Sequence, residues 1–183
     1  MLWIILGITI SYLLGSIPTG YIFGRLLKGI DIRKFGSGNV GATNVLRVIG
    51  KGACVTVLVL DILKGFLAVV FLGDILALKT LFIPQDTLRI ILGLICICGH
   101  NWTIFLNFKG GKGIATTLGV LLGLSVKIAG LKLVVGLLVL TWVIIFLIVR
   151  IVSFASVLTA IALPIYTTIF KQSKIVVFSS ILL

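Results

Sequence analysis

The sequence has few acidic residues and a single histidine, and these shortages exclude several kinds of site. Four Asp and Glu residues, one His and three Cys occur among its 183 residues. Cys96 and Cys98 are one residue apart and there is no Cys-x-x-Cys pair, so we interpret them, together with Cys54, as packing residues. One histidine and four acids are too few for a convincing metal centre. We therefore expect neither a metal nor a cofactor.

Motifs for covalent acyl transfer are also missing. The sequence has no Gly-x-Ser-x-Gly elbow and no histidine that is followed four residues later by an aspartate. Its one histidine is not paired with a cysteine in the manner of a covalent acyl carrier. Any acyl chemistry in this chain is therefore expected to proceed without a catalytic triad or dyad.

Charge as a whole is scarce, and long apolar runs take its place. Charged residues make up 11% of the chain, hydrophobic residues make up 60%, and the mean hydropathy is +1.35. A soluble domain carries roughly 25% charged residues. The apolar runs lack the two-residue alternation of a membrane β-barrel, so we predict an all-α, polytopic membrane bundle. The net charge of +12 lies in short loops, which suits anionic lipids or substrates rather than nucleic acid.

Six apolar segments are long enough to be full transmembrane helices. They are residues 2–24, 53–73, 87–105, 114–130, 133–149 and 152–170. Residues 175–183 are again apolar but fall short of the ~17 that a bilayer requires, so we read them as a truncated seventh helix. Pro18, within the segment 15–20, predicts a kink or a close backbone approach in the first span.

Two glycine-rich basic segments interrupt these spans. The interruption at residues 25–52 holds six Lys and Arg residues against one acid, and its middle is the first glycine loop, residues 36–44. The second glycine loop is residues 107–113. Because basic loops stay in the cytoplasm, we predict that both loops are cytoplasmic and that the N-terminus is outside. Residues 74–86, with Lys79 and two acids, would then form an external loop.

Both glycine loops have the composition of an anion-binding site. Successive backbone N–H groups left uncovered by glycine can form a concavity for phosphate, and a following helix N-terminus strengthens it. The plainer interpretation is that the glycines let helices pack and the lysines orient the protein. The second loop is not a P-loop, because the Gly-x-x-x-x-Gly-Lys-Ser/Thr spacing is absent. Residues 38–43 and 111–116 both run from a glycine turn to Ala-Thr, and each predicts a helix start.

Three polar residues lie inside or beside apolar spans. Asp61 and Lys64 are spaced to share one helix face, either as a functional pair or as a self-neutralising structural pair. His100, at the end of a span, could be a general base or a hydrogen-bonded structural residue. Trp102 next to it is interpreted as a membrane-interface anchor.

Several of these segments together resemble one enzyme family. The segments are Gly-Ser-Ile-Pro-Thr-Gly at 15–20, Gly-Ser-Gly-Asn-Val-Gly-Ala-Thr-Asn-Val-Leu-Arg at 36–47, Asp-Ile-Leu-Lys-Gly at 61–65, Gly-His-Asn at 99–101 and Phe-Lys-Gly-Gly-Lys-Gly-Ile-Ala-Thr at 108–116. In this order they are similar to the bacterial membrane-integral acyl-phosphate:glycerol-3-phosphate acyltransferases. The resemblance covers most of the chain, and the combination is highly specific.

The resemblance implies a fold, an activity and a set of site residues. It implies a seven-helix enzyme of the cytoplasmic (inner) membrane whose site faces the cytoplasm. This enzyme would move a fatty acyl group from acyl phosphate to the 1-hydroxyl of glycerol 3-phosphate, giving lysophosphatidic acid for phospholipid synthesis. Activity in the family depends on a serine and an arginine that match Ser37 and Arg47. The family's glycines for glycerol 3-phosphate match Gly110, Gly111 and Gly113.

On this basis we predict direct acyl transfer without a covalent intermediate. Arg47, Lys109 and Lys112 would hold the phosphates, while Ser37 and Asn39 would orient the reactants or stabilise the developing oxyanion. The further predicted substrate-binding residues are Gly38, Gly41, Thr43, Asn44, Asp61, Lys64 and His100. The substrate's own phosphate would accept the hydroxyl proton. The expected partners are the two substrates, membrane lipids and the soluble enzyme that makes acyl phosphate.

The sequence departs from the family pattern at two places. Val40 stands where many members have proline, and the family's C-terminal His-Arg-x-Asn segment has no counterpart before Leu183. We therefore treat residues 1–183 as a single acyltransferase domain that lacks this C-terminal motif. Two other classes stay open, namely a small anion or lipid transporter and a non-catalytic membrane scaffold. A transporter is expected to show inverted repeats or broken helices in both halves, and a scaffold does not require polar glycine loops.

Overall fold

The computed structural model describes residues 1–80 and 82–182, which form helices joined by turns. The α-helices are α1 (Leu2–Ser16), α2 (Thr19–Lys28), α3 (Ala42–Val48), α4 (Lys51–Leu67), α5 (Gly73–Ala77), α6 (Gln85–Asn101), α7 (Ile114–Lys127), α8 (Leu131–Val149), α9 (Val152–Ile169) and α10 (Lys174–Leu182). The π-helical segment Ala68–Leu72 joins α4 to α5, and 3₁₀ turns cover Ile32–Lys34 and Ile104–Leu106. The described residues contain no β-strand, and the all-α prediction is confirmed.

Within this described part, five helical stretches are long and apolar enough to cross a membrane. They are Leu2–Lys28, Lys51–Ala77, Gln85–Leu106, Leu131–Val149 and Val152–Ile169. Each coincides with a predicted span. Helix α7 occupies the remaining predicted span, but its 14 residues reach only about 21 Å of the ~30 Å hydrocarbon thickness. The count of six full spans therefore stays a prediction. Helix α10 occupies the predicted partial seventh, of which Leu183 lies outside the described residues.

The predicted interruption of the first span is present at Ile17 and Pro18. Helix α1 ends at Ser16, α2 begins at Thr19, and Ile17 has the extended ψ of 112°. Proline lacks an N–H group, so it cannot continue the helical hydrogen bonding. A break at this depth leaves the Ile17 carbonyl available to other donors.

Two predicted loops are shorter than expected. Much of the interruption 25–52 is helical, because α2 continues to Lys28 and the interruption contains both α3 and the start of α4. The expected external loop 74–86 is too long at both ends, because Asp74 belongs to helix α5 and Asp86 belongs to helix α6. Leu81, in the same predicted loop, lies outside the described residues.

Pairing explains why Asp74 is helical rather than in a loop. Its two carboxylate oxygens accept from Arg89 Nη2 at 2.6 Å and from Lys127 Nζ at 2.7 Å. Arg89 is buried and also donates to the Val69 carbonyl in the π-helical segment at 2.9 Å. The hydropathy of the sequence treats each charged residue by itself, so it predicted a loop here. In the structure, Arg89 and Lys127 pair with Asp74 and allow it to lie in a helix of the bundle.

Glycines bring the helices together closely. Helix α1 packs along α6, α4 along α7, and α8 along α9. A Cβ atom at Gly15 would overlap the backbone carbonyl of Cys96, and one at Gly119 would overlap that of Ile62. Small residues at helix crossings allow this approach in membrane proteins. The close approach predicted for residues 15–20 is therefore confirmed.

Most of the positive charge lies at one end of the bundle, which we call the loop end. The connections α2–α4, α6–α7 and α8–α9 meet there in chain order, and Lys112 Nζ lies 3.5 Å from Ser153 Oγ at the start of α9. The loop end has a single acid, Asp31. Its nine bases are Arg25, Lys28, Arg33, Lys34, Arg47, Lys51, Lys109, Lys112 and Arg150. Both glycine loops thus lie in a strongly basic environment.

Candidate active site

The first glycine loop is organised around the buried side chain of Asn44, which is 1% exposed. Its Nδ2 donates to the carbonyl oxygens of Ile32 at 3.3 Å, Phe35 at 3.1 Å and Asn39 at 2.8 Å. Its Oδ1 accepts from the backbone N–H of Ser37 at 2.8 Å. The amide is therefore engaged within the loop, where it holds the backbone that carries Ser37. Its predicted contact with substrate stays a prediction.

Two glycines make this wrapping possible. Gly36 has φ of 59° and Gly38 has φ of 73°, in the left-handed region that favours glycine. A Cβ atom at Gly36 would overlap the Oδ1 atom of Asn44. The loop closes where Gly41 donates its N–H to Asn39 Oδ1 at 2.8 Å, and α3 follows directly, as its sequence predicted. Fixing Asn39 through Oδ1 leaves its amide N–H groups free to donate.

An ion pair supports the approach to this loop. Asp31 accepts from Arg33 Nη2 at 2.7 Å and Nε at 3.0 Å, and from the Arg33 backbone N–H at 3.1 Å. The side-chain hydrogen bond from Arg33 lowers the pKa of Asp31 to about 2. The Arg33 guanidinium also lies 5.2 Å from the ring centroid of Tyr21 in α2. This pair and its aromatic contact anchor the turn before the first glycine loop to helix α2.

Three polar side chains of this region point to solvent. Ser37, Thr43 and Arg47 are exposed. Within residues 1–80 and 82–182, neither the Ser37 hydroxyl nor the Arg47 guanidinium makes a hydrogen bond, whereas the backbone that carries them is held firmly. The loop therefore presents a hydroxyl and a cation from a fixed frame.

The second glycine loop is held by the end of helix α6. Gly110 donates its N–H to the Asn101 carbonyl and Gly111 donates to the His100 carbonyl, both at 3.0 Å. A Cβ atom at Gly111 would overlap Nε2 of the His100 imidazole, and one at Gly110 would overlap the His100 carbonyl oxygen. Only glycines allow the loop to lie this close to α6.

The rest of the second loop is tightly turned. Asn107 and Phe108 have φ of 53° and 59°, a left-handed conformation that costs a non-glycine residue of order 1 kcal/mol or more. Gly113, with φ of 73°, precedes α7, which begins without a side-chain cap, and the predicted helix start is confirmed. Lys109, which precedes this uncapped helix N-terminus in the sequence, is exposed. The loop therefore contains an exposed cation and a helix N-terminus, two features that favour phosphate binding.

A buried polar cluster, which we call the Asp61 cluster, lies beneath the second loop. Asp61 Oδ1 accepts from Thr19 Oγ1 at 2.6 Å and from Lys64 Nζ at 2.9 Å, and it lies 3.8 Å from His100 Nδ1. Lys64 Nζ also donates to the Ile17 carbonyl at 3.2 Å, at the break between α1 and α2. Asp61 is 1% exposed, Lys64 4% and His100 8%. These charges are paired inside the bundle, as intramembrane charges must be.

The predicted site residues thus form two groups. Ser37, Asn39 and Asn44 share one hydrogen-bond network. In the other group Asp61 contacts Lys64 and His100, and His100 contacts Gly111. In the described part of the chain, no hydrogen bond or ion pair joins one glycine loop directly to the other. Their connection runs through the helices beneath them.

Two polar residues near these groups escaped the sequence reading. Thr19 contacts Asp61, and its signal was the polar segment 15–20, which we interpreted as a kink or a close backbone approach and as part of the family resemblance. Ser153 contacts Lys112 from an apolar helix, where the sequence carries no local signal. The three cysteines are free and at least half-buried, as packing residues would be.

Comparison with known proteins identifies the family. Residues 5–183 match the model of the glycerol-3-phosphate acyltransferase family. A glycerol-3-phosphate acyltransferase of Prochlorococcus marinus (strain NATL2A) is 47% identical over 84% of this chain and 71% of its own length. One from Chlorobium phaeobacteroides (strain BS1) is 46% identical over 93% of this chain and 72% of its own length.

A solved structure agrees with these relatives. The crystal structure of PlsY (YgiH), an integral membrane glycerol 3-phosphate acyltransferase in its glycerol 3-phosphate form, has a TM-score of 0.83 and 36% identity. The match covers 98% of this chain and 83% of PlsY. A form with lysophosphatidic acid matches with a TM-score of 0.80. The present chain is therefore a multi-pass membrane protein and belongs to the glycerol-3-phosphate acyltransferase family.

Proposed function

We propose that this chain transfers a fatty acyl group from acyl phosphate to the 1-hydroxyl of glycerol 3-phosphate, giving lysophosphatidic acid. The observation that carries the proposal is the pair of basic glycine loops at one end of the bundle of a family member. Both proposed substrates carry phosphate, so two anion-binding loops match two anionic substrates. The glycerol 3-phosphate and lysophosphatidic acid forms of PlsY support the choice of acceptor and product.

The reaction we propose is a direct displacement. The 1-hydroxyl oxygen attacks the acyl carbonyl carbon, the bond from that carbon to the phosphate oxygen breaks, and inorganic phosphate leaves with the hydroxyl proton. Acyl phosphate is a mixed anhydride with an anionic leaving group that needs no acid. A triad is therefore unnecessary, which agrees with its absence from the sequence.

We assign the residues according to the exposure and the hydrogen bonding of their side chains. Arg47, Lys109 and Lys112 are exposed cations that would hold phosphate groups. The Ser37 hydroxyl and the Asn39 amide N–H groups would orient the acceptor or stabilise the oxyanion, because neither donates a hydrogen bond within residues 1–80 and 82–182 and both lie on a held backbone. Gly110, Gly111 and Gly113 would let glycerol 3-phosphate approach the N-terminus of α7. The substrate would also contact Gly38, Gly41 and Thr43 of the first loop.

We further propose that residues 1–183 act as one domain in the bacterial cytoplasmic membrane. The nine bases and one acid of the loop end favour a cytoplasmic position for that end, and an external N-terminus follows from it. Acyl phosphate would then reach the site from the cytoplasm or the inner leaflet, supplied by a soluble enzyme that makes it.

The decisive experiment is acyl transfer by the chain reconstituted in lipid. Palmitoyl phosphate and labelled glycerol 3-phosphate are the substrates, with palmitoyl-CoA and acyl carrier protein donors alongside. Lysophosphatidic acid from acyl phosphate alone is expected. A silent chain would next be extended with the C-terminal segment of the Prochlorococcus relative. Continued silence, or uptake of label into liposomes without product, would overturn the proposal in favour of a transporter.

One substitution tests the assignment of Ser37. Ser37→Ala should lower turnover about hundredfold, the scale of losing one oxyanion donor. The matched control is Ser173→Ala, an exposed serine in the turn before α10, which should leave turnover unchanged. Wild-type turnover in Ser37→Ala would refute the assignment. An acyl-serine trapped with acyl phosphate alone would refute direct transfer.

A further inference from the structure

The charges of the Asp61 cluster are costly to bury, and their contacts suggest why they are kept. A buried ion pair is often no more stabilising than apolar side chains of the same size. Asp61 and Lys64, both on α4, nevertheless contact the α1–α2 break, α2 and α6. We therefore look for a role of these two charges in positioning the segments that they contact.

One arm of the cluster leads to the first glycine loop. Thr19 donates its hydroxyl hydrogen to Asp61. Its neighbour Gly20 lies so close to the first loop that a Cβ atom there would overlap the Val40 carbonyl and come within 3.1 Å of Val45. The start of α2 thus sits between Asp61 and the first loop, and a shift of Thr19 would displace Val40.

The other arm leads to the second glycine loop. His100 Nδ1 lies 3.8 Å from Asp61, and Nε2 at the opposite side of the ring faces Gly111. The His100 backbone carbonyl accepts from the same glycine. The imidazole therefore lies between Asp61 and the second loop.

We propose that Asp61 is a positioning residue that sets the two glycine loops relative to one another, with Thr19 and His100 as its arms. This inference rests on the proposed function. The two loops have no direct hydrogen bond or ion pair between them in the described residues, so their separation depends on this buried connection. Since the two reactants must meet across the loops, a change in separation would alter the binding of both substrates.

The test uses two substitutions at Thr19 with opposite effects. Thr19→Val keeps the shape and removes the hydroxyl, whereas Thr19→Ser keeps the hydroxyl and removes a methyl group. If the hydrogen bond to Asp61 positions the loops, Thr19→Val should raise KM for both substrates about fivefold, and Thr19→Ser should stay near wild type. A packing role alone predicts the reverse order.

The control is Ser11→Ala. Ser11 is also buried and donates to the Leu92 carbonyl at 2.6 Å, between α1 and α6 but away from the loops. It should lower Tm without changing either KM. Calorimetry of glycerol 3-phosphate binding in detergent repeats the comparison without turnover, and Thr19→Val should weaken binding about fivefold.

If Thr19→Val fails to fold, substitutions that remove the charges of Asp61 and Lys64 test the positioning role instead. Asp61→Asn leaves Lys64 buried and unpaired, whereas Asp61→Asn with Lys64→Met removes both charges. The double variant should recover Tm but not the KM values. Recovery of both, or wild-type KM values in Thr19→Val, would overturn this inference while the unaltered chain remains active. An unaltered chain that neither turns over nor binds would overturn the proposed function and this inference together.

Discussion

The first glycine loop is shaped by its own side chains, whereas the second takes its shape from helix α6. In the first, Asn44 supplies four hydrogen bonds from within the loop. In the second, the backbone carbonyls of His100 and Asn101 supply the acceptors, and glycines provide the room. Two loops of similar composition are thus built by different means.

This difference determines how far the effect of a substitution in or under each loop should extend. The conformation of the first loop is set by its own hydrogen bonds, so only its position in the bundle depends on α2. The second loop packs against His100, so its conformation is expected to change when that side chain moves. Substitutions inside the first loop should therefore affect one network, while substitutions under the second should reach the Asp61 cluster.

The largest expected effect comes from the centre of the first loop. Asn44→Ala removes the amide that bonds to four backbone groups through its two N–H groups and its oxygen. The backbone of Ser37 should therefore lose its position, and kcat/KM should fall at least tenfold. Steady-state assays measure the loss, and hydrogen exchange should show faster exchange confined to residues 32–44.

The control for this substitution is Ser125→Ala. Ser125 is buried at the far end of α7, and its hydroxyl donates to the Leu122 carbonyl of its own helix. Its removal should leave kcat/KM unchanged. Equal losses in both variants would show that Asn44 acts through global stability, and the internal organisation of the first loop would then be irrelevant to activity.

A smaller effect is expected beneath the second loop. Gly111→Ala introduces a Cβ atom against the His100 imidazole, so either the loop or the ring must move. We expect KM for glycerol 3-phosphate to rise about tenfold with a smaller change in kcat, because the proposed phosphate site would be displaced while the reacting groups remain.

Gly136→Ala is the matched control, since a Cβ atom at Gly136 meets nothing within 4 Å. This helical position should accept alanine with unchanged kinetics and a slight gain in stability. An unchanged KM in Gly111→Ala would mean that the second loop does not depend on α6 as the structure suggests.

The smallest effect concerns the support of the first loop by Asp31. Because the pKa of Asp31 is lowered to about 2, its ion pair stabilises the protein above about pH 4 and is lost as the pH falls through 2. Asp31→Asn should lower Tm by about 1–3 °C at neutral pH. The difference from wild type should shrink as the pH falls and vanish below about pH 2, as thermal melts would show. A difference that grows towards acid would contradict the assignment.

Local features of the sequence predicted much of the fold. Apolar length indicated the spans, and Pro18 indicated the break, because a residue without an N–H group ends a helix wherever it lies. The glycine loops and both helix starts were also readable, since turn chemistry is local. Asp74 was misplaced because its two cationic partners are 15 and 53 residues away. No pattern of neighbours contains that information.

The chemistry available to this protein follows from the sequence alone, namely basic glycine loops, few acids and a membrane-bound chain without a triad. Only the tertiary structure decided how those parts are connected. Thr19 meets Asp61 across 42 residues, and His100 meets Gly111 and Asp61 at once. Composition and spacing act along the chain, whereas contacts between helices depend on their rotation and depth against one another. Those are set by packing at glycines such as Gly15 and Gly119.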